Sequence, residues 1–353
     1  MTADQRLPEQ PPEDADRRSD VRGLDRDLAL LQGEAVTQSI RETATGQARR
    51  LVWQNIPAMT REDPTYYDRP VIKEPVWNWS VPTYFYAGGA AGAASVLGAV
   101  AQLIDREGLS GLVKRCRWVA AGGTALGTAA LIYDLGRPER FLNMLRVFRP
   151  TSPLNVGSWV LAAMTPLSGS SAVLAGTGGA VRSIGDFAAL GSGTLGVPLA
   201  GYTSVVLTNT AVPSWLQIRR SLPALFYASA ASSAACLLEA TKLSEREGSI
   251  VRRFGLLGKM AELASSVLVQ RELSEIEPVG KTLTEGFAGS LWISGRALTG
   301  GSAALSFFAK TRKIKVLSAV LGSAGAVAIR FAVFHAGKAS TRDPRATFHQ
   351  QRS

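Results

Sequence analysis

Cysteine and histidine are nearly missing from this chain. Its 353 residues hold two of each: Cys116, Cys236, His335 and His349. There is no CxxC pair and no Cys/His cluster, so no disulfide scaffold, zinc site or iron–sulfur cluster is expected within it. A b-type haem held between helices normally takes two histidines, and only His335 falls near an apolar segment. Neither haem nor metal is therefore expected. No apolar signal-peptide core follows Met1. The formal charge of +11 lacks the basic face interleaved with aromatics that nucleic-acid binding calls for, because its cations are spread over short loops.

What the chain has instead is apolar length. From Val81 onward, stretches of about 20 weakly charged residues alternate with short charged loops, and that length spans a bilayer core. Spans are predicted near 82–104, 117–135, 156–176, 187–210, 221–241, 254–271, 285–308 and 314–336. The expected fold class is an all-α integral membrane protein with about eight transmembrane helices. Glycines recur inside the spans: Gly88, Gly89 and Gly92 in the first, Gly122, Gly123 and Gly127 in the second, Gly191, Gly193, Gly196 and Gly201 in the fourth. Small residues of this kind let helix backbones approach closely. The sixth span is weakened by Lys259 and Glu262. Residues 1–65 read as a polar N-terminal extension, partly disordered, with a candidate amphipathic helix between Leu24 and Trp53 whose Leu24, Leu28, Leu31 and Ala35 share a face. Residues 66–340 form the transmembrane domain and 341–353 a C-terminal tail. The loops after the odd-numbered spans carry more Lys and Arg than the rest, which puts them in the cytoplasm. The long charged N-terminal tail without a signal sequence pulls the other way.

Between the second and third spans runs DLGRPERFLNMLRVFRPTSPLNVGSW, Asp134–Trp159. Pro138 suits a first helical turn, Phe141, Met144, Leu145 and Phe148 make one apolar face, and Pro150 and Pro153 stop the helix. A short helix of this kind lies in the membrane interface. It reads either as a cationic loop that fixes topology or as a ligand or partner surface. Ahead of the first span, Tyr66, Tyr67, Trp77 and Trp79 are interface anchors. Inside the spans, Glu239, Glu262, Arg296 and Arg330 each cost roughly 3 kcal/mol or more unless paired or reached by water. Glu262 and Arg296, both near mid-span, are expected to pair, and Arg330 to snorkel or pair. Glu262, Arg296 and Glu239 are thus candidates for a proton path, against the plainer reading of a structural buried pair. Loop cations such as Arg106, Arg115, Arg117 and Arg312 read as topology determinants.

Four segments taken in order, YYDRPVIKEPVW before the first span, the Asp134–Trp159 motif, GYTSVVLTNTAVPSW closing the fourth and HAGKASTRDPRATF after the eighth, resemble the NrfD/polysulfide reductase membrane-subunit family. The resemblance runs over most of residues 65–350. It implies two four-helix bundles without a redox cofactor of their own, in the cell (plasma or inner) membrane. It also implies a quinone- or quinol-reactive anchor subunit of an oxidoreductase complex. Electrons would pass between menaquinone or ubiquinone, bound as an exchangeable substrate, and a ferredoxin-like iron–sulfur subunit. That subunit would serve a catalytic subunit, often a molybdopterin enzyme. Carried over onto this sequence, Asp134 and Arg137 belong to the family's loop motif, Tyr202 opens the GYT segment, and Asn209 follows on the same helix. Tyr84 lies where the family has a quinone-contacting polar side chain. Lys73, Trp77, Arg140, Arg146 and Arg149 are the candidates for partner contact, since they flank spans one and two on one membrane face. Arg296 is not a residue expected at its point of the pattern.

The chemistry of the residues agrees. A quinone needs an apolar slot, donors for its carbonyls and a proton-exchanging group, which Tyr, Asn and a partly desolvated Asp supply. Two rival classes are a purely structural membrane anchor without quinone exchange and an ion or solute transporter. A transporter should show an internal repeat with paired broken helices, and the sequence shows no clear repeat.

Overall fold

The structure, a computed structural model, describes residues 70–347 apart from 71, 138, 309, 310 and 345. The candidate helix of Leu24–Trp53, Tyr66, Tyr67 and Pro138 lie outside the described residues. Within them every element is helical. In chain order these are α1 (Ser80–Asp105), α2 (Ser110–Asp134), α3 (Glu139–Met144), α4 (Pro153–Val173, extended by a tighter turn at Leu174–Gly176) and α5 (Gly179–Thr208). There follow α6 (Pro213–Gln217), α7 (Leu222–Glu239), α8 (Glu245–Ser274), α9 (Glu277–Thr284), α10 (Gly286–Phe308) and α11 (Arg312–Arg342).

Five helices, α1, α4, α5, α7 and α11, are long and apolar enough to cross a membrane, which makes this a multi-pass membrane protein. α2, α8 and α10 have the length, 25, 30 and 23 residues, but α2 and α8 are diluted by charge and α10 by glycine and serine. Predicted glycines do bring backbones together. A Cβ on Gly92 would sit 2.6 Å from the Gly196 carbonyl oxygen, and one on Gly196 2.6 Å from that of Gly92, so α1 and α5 touch backbone to backbone. Gly123 sets α2 against Ala87 of α1 in the same way. Gly122, in contrast, meets open space.

α1 packs on α2 and α5, and α4 closes that group against α2 and α5. α7 packs on α8 and α11, and α10 closes the second group against α8 and α11. α7 lies against α1 and α5, and α11 against α1. Short connections make successive long helices antiparallel, so two opposite ends form. One end gathers the starts of α1, α4, α7 and α10 and is tied by Asn78 to Asp134 and by Lys338 to the Trp77 carbonyl. The other end is tied by Arg246 to Asp105, by the Leu112 N–H to Glu247 and by Arg312 to the Ala240 and Thr241 carbonyls.

Three expectations change here. The interfacial helix is only six residues long and ends at Met144, well before Pro150. The Asn155 amide takes its place as the stop: it donates to the Met144 and Val147 carbonyls at 2.8 and 3.1 Å and accepts from the Arg149 N–H at 2.6 Å. Pro153 does not terminate that helix but opens α4, capped by Ser152. α8 starts nine residues ahead of the expected span, because Ser244 and Glu247 form a capping box. Finally, one cation read as a loop residue, Arg117, is internal. Arg117 is buried and bonds Asp186 at 2.7 Å and Gln102 at 2.8 Å, with Arg106 on the other Asp186 oxygen.

Candidate functional site

α2 ends in Asp134-Leu135-Gly136. Gly136 takes a left-handed φ of 66°, which breaks the helix and leaves Asp134 at its rim. The Asp134 carboxylate accepts from the Asn78 N–H at 3.3 Å and lies beside Ser80. One turn into α1 from Ser80 is Tyr84, buried with its ring against Gly88 and Gly127. Gly127, read as a helix-packing residue, is in fact the notch that admits this ring. Tyr202 of α5 lies within electrostatic reach of Tyr84, its hydroxyl against the Gly157 backbone. A Cβ on Gly157 would fall on the Tyr202 ring. Tyr84 and Tyr202 are therefore brought together, with Asp134 near the same end of the bundle.

The other residues expected here are not. Asn209 follows the last turn of α5, exposed, and its amide donates back to the Val205 carbonyl at 2.9 Å. Its donor closes its own helix instead of reaching the tyrosines. Arg137 is exposed beyond the end of α2. Among the partner candidates, Lys73, Arg146 and Arg149 are exposed and Arg140 is half-buried. Trp77 is used within the chain: it stacks on Trp215 with ring centroids 5.7 Å apart, and Trp215 donates to the Val333 carbonyl at 2.8 Å. Beside it Glu74 binds Arg342 at 2.8 Å and Lys338 at 3.3 Å. Burial opposes ionisation of Glu74, but these two cations outweigh it and hold its carboxyl below the usual range. Glu74 and Lys338 both lie in segments that carry the family resemblance, YYDRPVIKEPVW and HAGKASTRDPRATF, but spacing along the chain gave no sign that they pair.

The charges expected inside spans pair differently from the expectation. Arg296 donates to Gln270 at 2.5 Å and does not pair with Glu262. Glu262 is fully buried beside Ser229, Ser232 and Arg330. Arg330 does not snorkel. It is fully buried, bonds the Phe85 carbonyl at 3.0 Å and the Ser229 hydroxyl, and lies over the Phe226 and Tyr86 rings. Glu239 meets the fully buried Lys259 at 3.7 Å. Lys259 was visible only as a flaw in an apolar span, yet a Lys and a Glu three residues apart on one helical face were the signal for an organised site. His335 is ringed by Phe287, Phe331 and Phe334, and no group of three potential metal ligands occurs among the described residues.

Compared with known families, residues 65–342 match the NrfD-type family described as polysulfide reductase. No curated protein matches the chain.

Proposed function

The chain belongs to the NrfD-type polysulfide reductase family, and on that premise we propose that it is the quinone-reactive subunit of its complex. Membership makes it a membrane subunit of an oxidoreductase complex. We read its eight long helices as eight crossings in two four-helix bundles, a reading supported by the two closed groups of packed helices. The electron donor or acceptor is a ferredoxin-like iron–sulfur subunit, docked on the Asp134 end where Lys73, Arg146 and Arg149 are exposed. A molybdopterin catalytic subunit lies beyond it.

The observation that carries the quinone reading is that Tyr84, buried in α1, and Tyr202, half-buried in α5, lie within electrostatic reach of each other near the Asp134 end. Two phenols offer hydrogen bonds to quinone carbonyl oxygens, while a partly buried carboxylic acid at the rim exchanges protons with water. Quinone reduction takes two electrons from the iron–sulfur partner and two protons through groups of this chain. Asp134→Asn keeps shape and removes proton exchange. It should lower quinone-linked turnover about tenfold or more, leaving complex assembly and activity with an artificial acceptor intact. Tyr202→Phe should raise the quinone KM with a smaller effect on kcat.

The structural-anchor reading has its own observation: Asp134 bonds the backbone just ahead of α1, so it also ties two helix ends. Wild-type quinone kinetics in both variants, or failure of Asp134→Asn to assemble, would favour that reading.

A further inference from the structure

Glu239, Lys259, Glu262 and Arg330 take no part in the site just described, yet they form a connected interior feature. At the end of the bundle opposite Asp134, a cleft of about 370 Å³ is lined by Glu239, Arg252, Arg312, Lys315, Ser306 and Ser318. Three of these line its inner wall and are also the partners of Lys259: Glu239 at 3.7 Å, Ser306 at 2.9 Å and Ser318 at 3.4 Å. Ser302 joins Ser306 and Ser318 in one hydroxyl cluster. Gly322 leaves the room that this cluster and the Lys259 stem fill, since a Cβ there would lie 2.7 Å from the Ser302 hydroxyl and 3.4 Å from Lys259 Cε.

Less than one helical turn along α8 from Lys259 stands Glu262. Ser229 and Ser232 of α7 and Arg330 of α11 surround it, with Lys259 on its own helix. The Ser229 and Ser232 hydroxyls are the hydrogen-bonding groups that face its carboxylate, at loose geometry. Arg330 then reaches α1. Its Nη2 lies 2.8 Å from where a Gly89 Cβ would be, one residue from Gly88, against which the Tyr84 ring rests. A packing role does not account for this. Apolar side chains of similar volume would serve packing at least as well, and a buried carboxylate held only by two loosely placed hydroxyls and a neighbouring guanidinium is costly.

We propose that this series is a proton route that opens at the Glu239 cleft, passes Lys259 and the serine cluster, and ends at Glu262, which Arg330 holds in place against α1. It serves the quinone reaction from the membrane face opposite Asp134. Its final acceptor rests on the quinone reading; the route itself rests on the geometry above. In the reducing direction a proton leaves cleft water for the Glu239 carboxylate. Lys259 passes a proton inward and regains one from Glu239, and Glu262 holds it until a reduced quinone oxygen takes it. Only O–H and N–H bonds change, and the electrons come from the iron–sulfur partner. The charges facing the entrance are Lys259 and Arg252 from α8 and Lys315 from α11, which keep Glu239 from standing alone as an anion.

The test uses the copurified complex in proteoliposomes. Glu262→Gln and Lys259→Met should each lower quinone-linked turnover about tenfold or more, with activity toward an artificial acceptor unchanged, and Glu262→Asp should recover part of the loss. A pH dye should register proton consumption on the cleft side. Wild-type rates in both variants, or proton consumption only on the Asp134 side, overturn the route and leave the quinone reading standing. If the wild-type complex has no quinone activity, the quinone reading fails, and a second measurement still decides the route. A cysteine in the full chain made by Ser306→Cys should react with a small charged thiol reagent added on the cleft side and be protected from the other side. No reaction from the cleft side overturns the proposal.

Discussion

At the scale of single residues, glycines decide where aromatic rings sit. Gly157 and Gly122 are both helical, but their surroundings are opposite: a Cβ on the first falls on Tyr202, and one on the second meets nothing. Gly157→Ala should therefore displace the Tyr202 ring and destabilise the protein by about 1–3 kcal/mol, seen as a lowered Tm in detergent together with a raised quinone KM. Gly122→Ala should be neutral or stabilising by up to about 1 kcal/mol, the ordinary gain of alanine over glycine in a helix. Glu74 gives a pH test. Its folded-state pKa lies below its ordinary value of 4.5, so its ion pairs stabilise above about pH 4.5 and are lost as pH falls through the lower folded value. Glu74 is partly exposed, which limits the effect to about 1 kcal/mol. Glu74→Gln should lower Tm slightly at neutral pH, and the gap from wild type should close on acidification well below pH 4.5.

At the scale of elements, the connection from α3 to α4 hangs on one amide. Asn155 holds Met144, Val147 and Arg149 together with three hydrogen bonds. Asn155→Ala should cost about 1–3 kcal/mol and raise protease cleavage between Met144 and Ser152, while Asn155→Asp should fail to restore the two bonds that need an N–H donor. The amphipathic spacing of Phe141, Met144, Leu145 and Phe148 suggested a longer helix. Spacing reports which residues could share a face, but a side chain that claims the carbonyls after one turn overrides it. α8 shows the reverse case. Its capping box was present in the sequence as Ser244 and Glu247, and hydropathy alone missed the start because the first turns are charged.

At the scale of the molecule, alternation of eight long helices would divide the connections between two membrane faces. Exposed positions Lys73, Arg149 and Arg219 belong to one face, and Arg182 and Lys242 to the other. Single cysteines at these sites, probed with an impermeant reagent on sealed vesicles, should label as those two groups. Labelling of positions 149 and 182 from the same side would show that α4 does not cross. The same division separates the proposed quinone site from the Glu239 cleft, so the two lie at opposite ends of one protein.

The helical class, the approximate positions of the long helices and the motifs that carry the family were legible in the sequence. All of these follow from local composition and from order along the chain. It also placed charges midway along long helices, because position along a helix is counted at about 1.5 Å per residue. Which charge meets which depended on how the helices pack. Arg296 and Arg330 were both available to Glu262, and the packing of α7, α8 and α11 gave it Arg330 and left Arg296 to Gln270. Likewise Tyr84 and Tyr202 are 118 positions apart in the sequence and come within electrostatic reach because Gly92 and Gly196 let α1 and α5 touch. Azimuth around a helix and the choice of neighbouring helix are set by such close contacts, which no single segment contains.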